Sequence, residues 1–218
     1  MGGEKPWRME HAYLGRPYSE NEIKEAINKN ITDLEVTIDS DYKMTAELLA
    51  NGHIVALFNG ASEYGPRALG HRSIVVDPRK AENKDILNSK VKNREAFRPF
   101  APSVLLNRAS EFFDLDTESP FMLLVPKVQP NKLSVLPAIT HVDGTARVHT
   151  VTKKQNGLYF DLIKAFETLT GVPVLLNTSF NVAGEPIIET PEEAIQCFLK
   201  NKMDVLVLEH YLLKKKND

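Results

Sequence analysis

The sequence predicts a single α/β domain built on a mixed, twisted and irregularly ordered β-sheet. Three observations lead there. Short apolar runs suited to buried strands lie at residues 53–58, 100–106, 172–176 and 205–208. Amphipathic stretches with helical spacing fall between them. The two kinds do not alternate strictly, and neither G-x-G-x-x-G nor a Walker A sequence is present, which points away from a doubly wound nucleotide fold.

In chain order, residues 1–18 read as irregular, with Gly2, Gly3, Pro6, Gly15 and Pro17. Ser19-Glu-Asn-Glu22 is a capping-box sequence, and Ile23, Ala26 and Ile27 keep helical spacing to about Asn30. A short strand is expected at 34–38. Asp39 or Ser40 starts a helix that closes at Asn51-Gly52. Residues 1–40 read as a linker or appendage, and 41–218 as the domain proper. Strands are expected at 53–58 and 73–76, then a helix at 80–91. The run 100–106 is a strand that Pro102 assigns to an edge or a bulge. A short helix at 110–113, a strand at 121–125, a loop at 126–137 and a strand at 146–151 follow. Residues 157–169 form an amphipathic helix. The strand 172–176 then runs into Asn177-Thr-Ser-Phe-Asn181. Thr190-Pro-Glu-Glu193 opens a helix with a cap, Pro in the first turn and acids beside it. Strands at 205–208 and 211–213 end the fold, and Lys214–Lys216 reads as a solvated tail.

Composition narrows the function classes. With 218 residues, 42% hydrophobic and 26% charged, the chain is long enough to bury a sizeable core. A net charge of −2 does not indicate a nonspecific nucleic-acid coat. Its one cysteine, Cys197, lies on an apolar helix face, which excludes an internal disulfide and fits a buried thiol in a cytoplasmic protein. Met1 to Glu10 is polar, unlike a signal peptide, and no apolar run reaches the ~20 residues of a membrane span.

The chemistry concentrates in one stretch. Between Arg67 and Arg98 nine Lys and Arg residues face four acids. Cations gathered beside Gly and Pro turns suit an anionic ligand. In Gly65-Pro-Arg-Ala-Leu-Gly70, Pro66 fixes φ and the glycines permit close approach. Such a loop can hold Arg67 against a planar oxyanion; a tight turn with solvated arginines fits the same spacing. Lys92, Arg94 and Arg98 stand between a helix and a buried strand. A Lys point charge with an Arg clamp suits phosphate, and a surface ion-pair network with Glu95 and Asp85 is the competing reading. Arg147 follows an Asp143-Gly144 turn. His141 and His149 have no further local cluster of metal-ligating residues, so ordinary hydrogen-bonded histidines are expected. Ser179 and Asn181 lie at a strand end, where α/β folds commonly bind ligands, although an Asx or Ser turn satisfying its own backbone is also possible there. Arg72, Arg79, Lys80 and Lys84 are expected to be structural or solvated.

Taken together, five ordered blocks resemble one family. They are Glu63-Tyr-Gly-Pro-Arg-Ala-Leu-Gly-His-Arg-Ser-Ile74; Asp77-Pro-Arg79; Lys92-Asn-Arg-Glu-Ala-Phe-Arg-Pro-Phe-Ala-Pro102; Thr140-His-Val-Asp-Gly-Thr-Ala-Arg147; and Leu175-Leu-Asn-Thr-Ser-Phe-Asn-Val-Ala-Gly-Glu-Pro186. From about residue 41 to the end, the chain resembles the C-terminal domain of the O-carbamoyltransferases, which include nodulation-factor and antibiotic-tailoring enzymes. The resemblance implies a YrdC-like fold: a twisted mixed sheet with flanking helices and an open basic cavity. It implies carbamoyl phosphate and ATP as ligands, with Mg²⁺ brought by the nucleotide. Carbamoyl phosphate would be cleaved to carbamate, which attacks the α-phosphate of ATP to give carbamoyl-adenylate and pyrophosphate. By the same resemblance Arg67, Lys92, Arg98 and Arg147 hold phosphate and carbamoyl oxygens, Lys92, Arg98 and Arg147 being the catalytic set. Ser179 and Asn181 match a Ser-x-Asn pair at the ligand and nucleotide.

In that family a larger actin-like domain precedes this one and passes the carbamoyl group to a hydroxyl acceptor. The 218 residues contain nothing like it, so an excised domain or a split gene product is expected, limited to the activating half-reaction. The alternative is a nucleotide- or RNA-binding module of the same fold without turnover.

Overall fold

The computed structural model describes residues 9–95 and 97–216. Gly2, Gly3 and Pro6 of the irregular N-terminal stretch lie outside the described residues. Ser19 caps α1 (Glu20–Lys29): its hydroxyl accepts the Glu22 N–H, and the Glu22 carboxylate accepts the Ser19 N–H in return. The buried stripe Ile23, Ala26, Ile27 follows, and α1 packs on α6 (Pro191–Lys200). β1 (Leu34–Ile38) leads to α2 (Lys43–Ala50). This helix starts later than Asp39, because Tyr42 sits in the left-handed region and turns the chain first. Asp39 still caps it, its carboxylate accepting the N–H groups of Met44 and Thr45.

β2 (Val55–Phe58) and β3 (Arg72–Val76) are buried at every residue. The expected helix over 80–91 divides. α3 (Glu82–Leu87) passes into a π-helical turn, Asn88–Lys92, and the chain reverses at Asn93 in the left-handed region. β4 (Ala101–Leu105), α4 (Ala109–Phe112), β5 (His149–Val151), α5 (Gly157–Thr170), β6 (Val174–Ser179), α6, β7 (Val205–Leu208) and β8 (Tyr211–Lys215) complete the described elements. Asn156 caps α5 by accepting the Tyr159 N–H, and Thr190 with Glu193 forms a second capping box on α6.

The strands form one mixed sheet in the order β1-β8-β7-β2-β3-β6-β4-β5. β2 with β7 and β4 with β5 run parallel; the other neighbours are antiparallel. α5 packs on α2 and touches β4 and β6; α6 touches β7 and β2. This is the mixed sheet with flanking helices that the family resemblance implies. One apolar cluster runs from Ile23 to Leu213 across both helix pairs. No helix among the described residues is long and apolar enough to cross a membrane.

Several expectations change. Residues 121–125 are not a strand: Met122 has φ +57°, Leu123 is exposed, and only Leu124 makes a single bridge, to Val148. The strand expected at 146–151 begins at His149, which leaves Arg147 on the extended segment before it. β4 is not an edge strand, since β5 and β6 flank it. Its pairing with β5 starts only at Ser103, so Pro102 faces β6 alone. Asn177–Ser179 continue β6 rather than forming the turn after it. Lys214 and Lys215 belong to β8, with Lys215 Nζ on the Asn201 carbonyl and Lys216 Nζ on that of Ile31. Residues 20–38 supply α1 and the outermost strand β1, with Ile23, Ile27 and Leu34 in the main core.

Candidate functional site

The loop joining β2 to β3 is built around Glu63. One of its carboxylate oxygens accepts the N–H groups of Leu69 and His71 at 2.7 and 2.8 Å. Gly70, at φ +108°, lies so close to Tyr159 that a Cβ would stand 2.3 Å from the ring, so only glycine fits. Asn177, on β6, donates to the Ala68 carbonyl and to Ser103 Oγ, each at 3.0 Å; Ser103 Oγ is 2.9 Å from His149 Nδ1. A buried polar chain across β6, β4 and β5 thus anchors the residue next to Arg67. His149 lies deep in the core, and burial drives its pKa down to about 3, so the ring stays neutral.

Arg67, Arg94 and Arg147 come together from three elements distant in sequence. They line one cavity of about 100 Å³ with Ala68, Phe100, Ala101, Met122 and residues 177–179 at the end of β6. No acidic side chain is among these described lining residues. All three Nε atoms are buried without a hydrogen-bond partner. Arg147 is held below its ordinary pKa first by burial, then by repulsion from Arg67 and Arg94. Arg94 is lowered by burial and then by Arg98, and its guanidinium lies 4.5 Å from the Phe100 ring centre. Guanidinium groups gathered around one cavity, each with an unused Nε donor, have the charge and geometry that suit an anion.

Lys92 stands beside this cavity rather than in its wall. Its Nζ donates among four oxygens: the Ser179 carbonyl at 2.6 Å and hydroxyl at 3.2 Å, and the Asn181 carbonyl at 2.9 Å and side-chain Oδ1 at 2.8 Å. Ser179 Oγ donates in turn to Asn181 Oδ1 at 2.6 Å. Lys92, Ser179 and Asn181 therefore form one unit that shapes the end of β6. Burial, then repulsion from Arg94, pushes the ammonium down to about 7, while the four oxygens favour its charged form.

Of the residues singled out in the sequence, Arg67, Arg147 and Ser179 line the cavity, and Lys92 and Asn181 buttress it. Arg98 does neither: it is exposed and pairs with Glu95 at 2.9 Å. Arg94 takes the place in the wall that the sequence reading gave to Arg98. The spacing carried no signal that separates the two; the chain turns at Asn93, in the left-handed region directly after Lys92. Met122 and Phe100 had no such signal. Arg72 is fully buried, donating to the carbonyls of Asn59 and Gly60 and stacked 3.5 Å from the Phe58 ring centre; Arg79 pairs with Asp77. Both are structural. Cys197 is a buried thiol whose pKa burial raises to about 11.

Sheet and cavity together define an α/β domain with an arginine-lined cavity at the end of β6. The chain belongs to the carbamoyltransferase family, whose C-terminal-domain model, described as "Carbamoyltransferase C-terminus", matches residues 46–215. It is 45% identical over 222 residues to the nodulation protein NolO of Bradyrhizobium diazoefficiens, covering 93% of this chain and 40% of that protein. It is 51% identical over 174 residues to the nodulation protein NolNO of Sinorhizobium fredii, covering 78% of this chain and 26% of that one. The chain thus spans two-fifths or less of these relatives. Among solved structures, full-length HypF in a phosphate- and nucleotide-bound form shares the fold, with a TM-score of 0.54 at 21% identity, over 85% of this chain and 22% of HypF.

Proposed function

We propose that the arginine-lined cavity binds carbamoyl phosphate and the phosphates of ATP, and that the domain forms carbamoyl-adenylate there. The observation that carries this reading is the convergence of Arg67, Arg94 and Arg147, with no acid among the lining residues. In the proposed reaction water cleaves carbamoyl phosphate to carbamate and phosphate. A carbamate oxygen then attacks the α-phosphorus of ATP, the bond to the β-phosphoryl oxygen breaks, and pyrophosphate leaves. Negative charge moves onto pyrophosphate in that step, and fixed guanidinium groups stabilise it without reorganising. Lys92 holds the Ser179 and Asn181 groups at the end of β6 in position. The lining offers no carboxylate to a Mg²⁺ ion, so the residues present do not fit a resident metal; the ion would arrive bound to the nucleotide. Transfer to a hydroxyl acceptor would fall to an actin-like domain, in the same chain or a partner chain, in line with relatives more than twice as long.

Calorimetric titration with ATP and with carbamoyl phosphate tests the binding step. Alanine at Arg67, Arg94 or Arg147 should each weaken binding by about tenfold or more, the worth of a charge-assisted hydrogen bond. Alanine at Arg98 should leave it within about threefold. Equal losses at all four positions, or none, contradict the cavity assignment. The competing reading, an RNA-binding module without turnover, predicts a steep fall of RNA affinity with salt.

A further inference from the structure

Residues 11–15 form a strap across the loop that carries Arg67. The Ala12 carbonyl accepts the Tyr64 N–H at 2.6 Å, the Gly15 N–H donates to the Ser62 carbonyl at 3.0 Å, and Tyr13 bridges Glu63 in antiparallel fashion. The Tyr13 hydroxyl donates to the Leu69 carbonyl at 2.9 Å and accepts from Asn156 Nδ2 at 3.1 Å. Its ring stacks on His71 with centres 3.8 Å apart. Burial raises the phenol above its ordinary pKa, so it keeps its donated proton. At Gly15 a Cβ would lie 2.0 Å from Ser62 Oγ and 3.1 Å from the Ser62 Cβ and backbone nitrogen, so a side chain there would force Ser62 to move. Beneath the strap, Ala12, Leu69, Ala101 and Met122 form a small apolar cluster separate from the main core. Ala101 and Met122 are also walls of the arginine cavity.

We propose that this strap sets the position of Arg67, with Tyr13 as a positioning residue for the anion cavity. The inference rests on the anion-binding reading of that cavity. The strap holds the loop on both sides of Arg67: at Ser62, Glu63 and Tyr64 before it, and at Leu69 after it. Among the described residues, 65–67 between these anchors make no hydrogen bond or bridge to the strap. Released at either anchor, Arg67 samples more orientations, and the preorganisation that favours binding is lost. Arg94 and Arg147 stand on other segments and keep their places.

The test compares the whole chain with Tyr13→Ala, Tyr13→Phe and Gly15→Ala. Limited trypsin cleavage at the Arg67–Ala68 bond reads the order of the loop, cleavage at Arg147–Val148 serves as the internal reference, and ATP titration reads the cavity. Tyr13→Ala should raise the cleavage ratio of Arg67 to Arg147 about tenfold, as expected for a local opening, and weaken ATP binding by a similar factor. Gly15→Ala should act in the same direction by a different lesion. Tyr13→Phe keeps the ring stack and should fall between Tyr13→Ala and the unaltered chain. An unchanged cleavage ratio in folded Tyr13→Ala and Gly15→Ala chains overturns the proposal, as does an equal rise at both bonds. If the unaltered chain binds no ATP, the cavity reading fails, and the cleavage ratio alone decides whether the strap orders Arg67.

Discussion

At the scale of single residues, the site is set by charges that the fold brings together at a cost. Arg147 is half-buried, lacks a partner at Nε and is repelled by Arg67 and Arg94. Replacing it by Met should therefore raise stability slightly, by up to about 1 kcal/mol, while weakening anion binding; denaturant melts beside ATP titrations check both signs. His149 gives a pH dependence. Its folded-state pKa is about 3 against an ordinary value of 6.5. The unfolded chain binds the extra proton between these values, so this contribution is complete above about pH 6.5 and is lost as pH falls toward 3. The loss should reach a few kcal/mol, on the order of the full shift, and His149→Gln should flatten the slope between pH 6.5 and 4.5. Much of this scale was legible in the sequence. Arg67 announced itself by flanking glycines and a proline, and Arg147 and Ser179 by their place beside strands. Arg94 and Arg98 were not separable by spacing, because the left-handed turn at Asn93 decides which of them faces inward.

At the scale of elements, the loop between β2 and β3 depends on one conformation. Gly70 needs both a positive φ and the space beside the Tyr159 ring. Gly70→Ala should destabilise the fold by about 3 kcal/mol or more, read from the denaturation midpoint, because ring and backbone cannot both yield. Helices with clear ends were legible, since capping boxes at Ser19 and Thr190 are local chemistry. The apolar run 121–125 was misleading for a physical reason. Periodicity reports apolar character and not pairing, and Met122 turns away from extended geometry before any ladder forms. Likewise Pro102 is compatible with an inner strand, because β5 pairs only from the next residue on. The π-helical turn that presents Lys92 left no mark in the spacing.

At the scale of the whole molecule, the first forty residues look like a linker in sequence, yet residues 20–38 within them belong to the domain's sheet and helical layer. β1 completes the sheet on β8, and α1 covers α6. A chain starting at residue 41 should lose several kcal/mol through Ile23, Ile27 and Leu34 alone, at about 1.5–3 kcal/mol per buried side chain. Its melting temperature should drop by about 10 °C or more, measured by differential scanning calorimetry. The mixed character of the sheet was legible because its strands are short, apolar and out of strict alternation with helices. Its order was not, since pairings such as β3 with β6 join segments about a hundred residues apart. The proposed activity is activation of a carbamoyl group on ATP in the arginine-lined cavity. Exchange of labelled pyrophosphate into ATP tests it most directly. Exchange should require carbamoyl phosphate and be lost in Arg94→Ala and Arg147→Ala. A folded chain that binds ATP yet shows no exchange, or exchanges equally without carbamoyl phosphate, would contradict it.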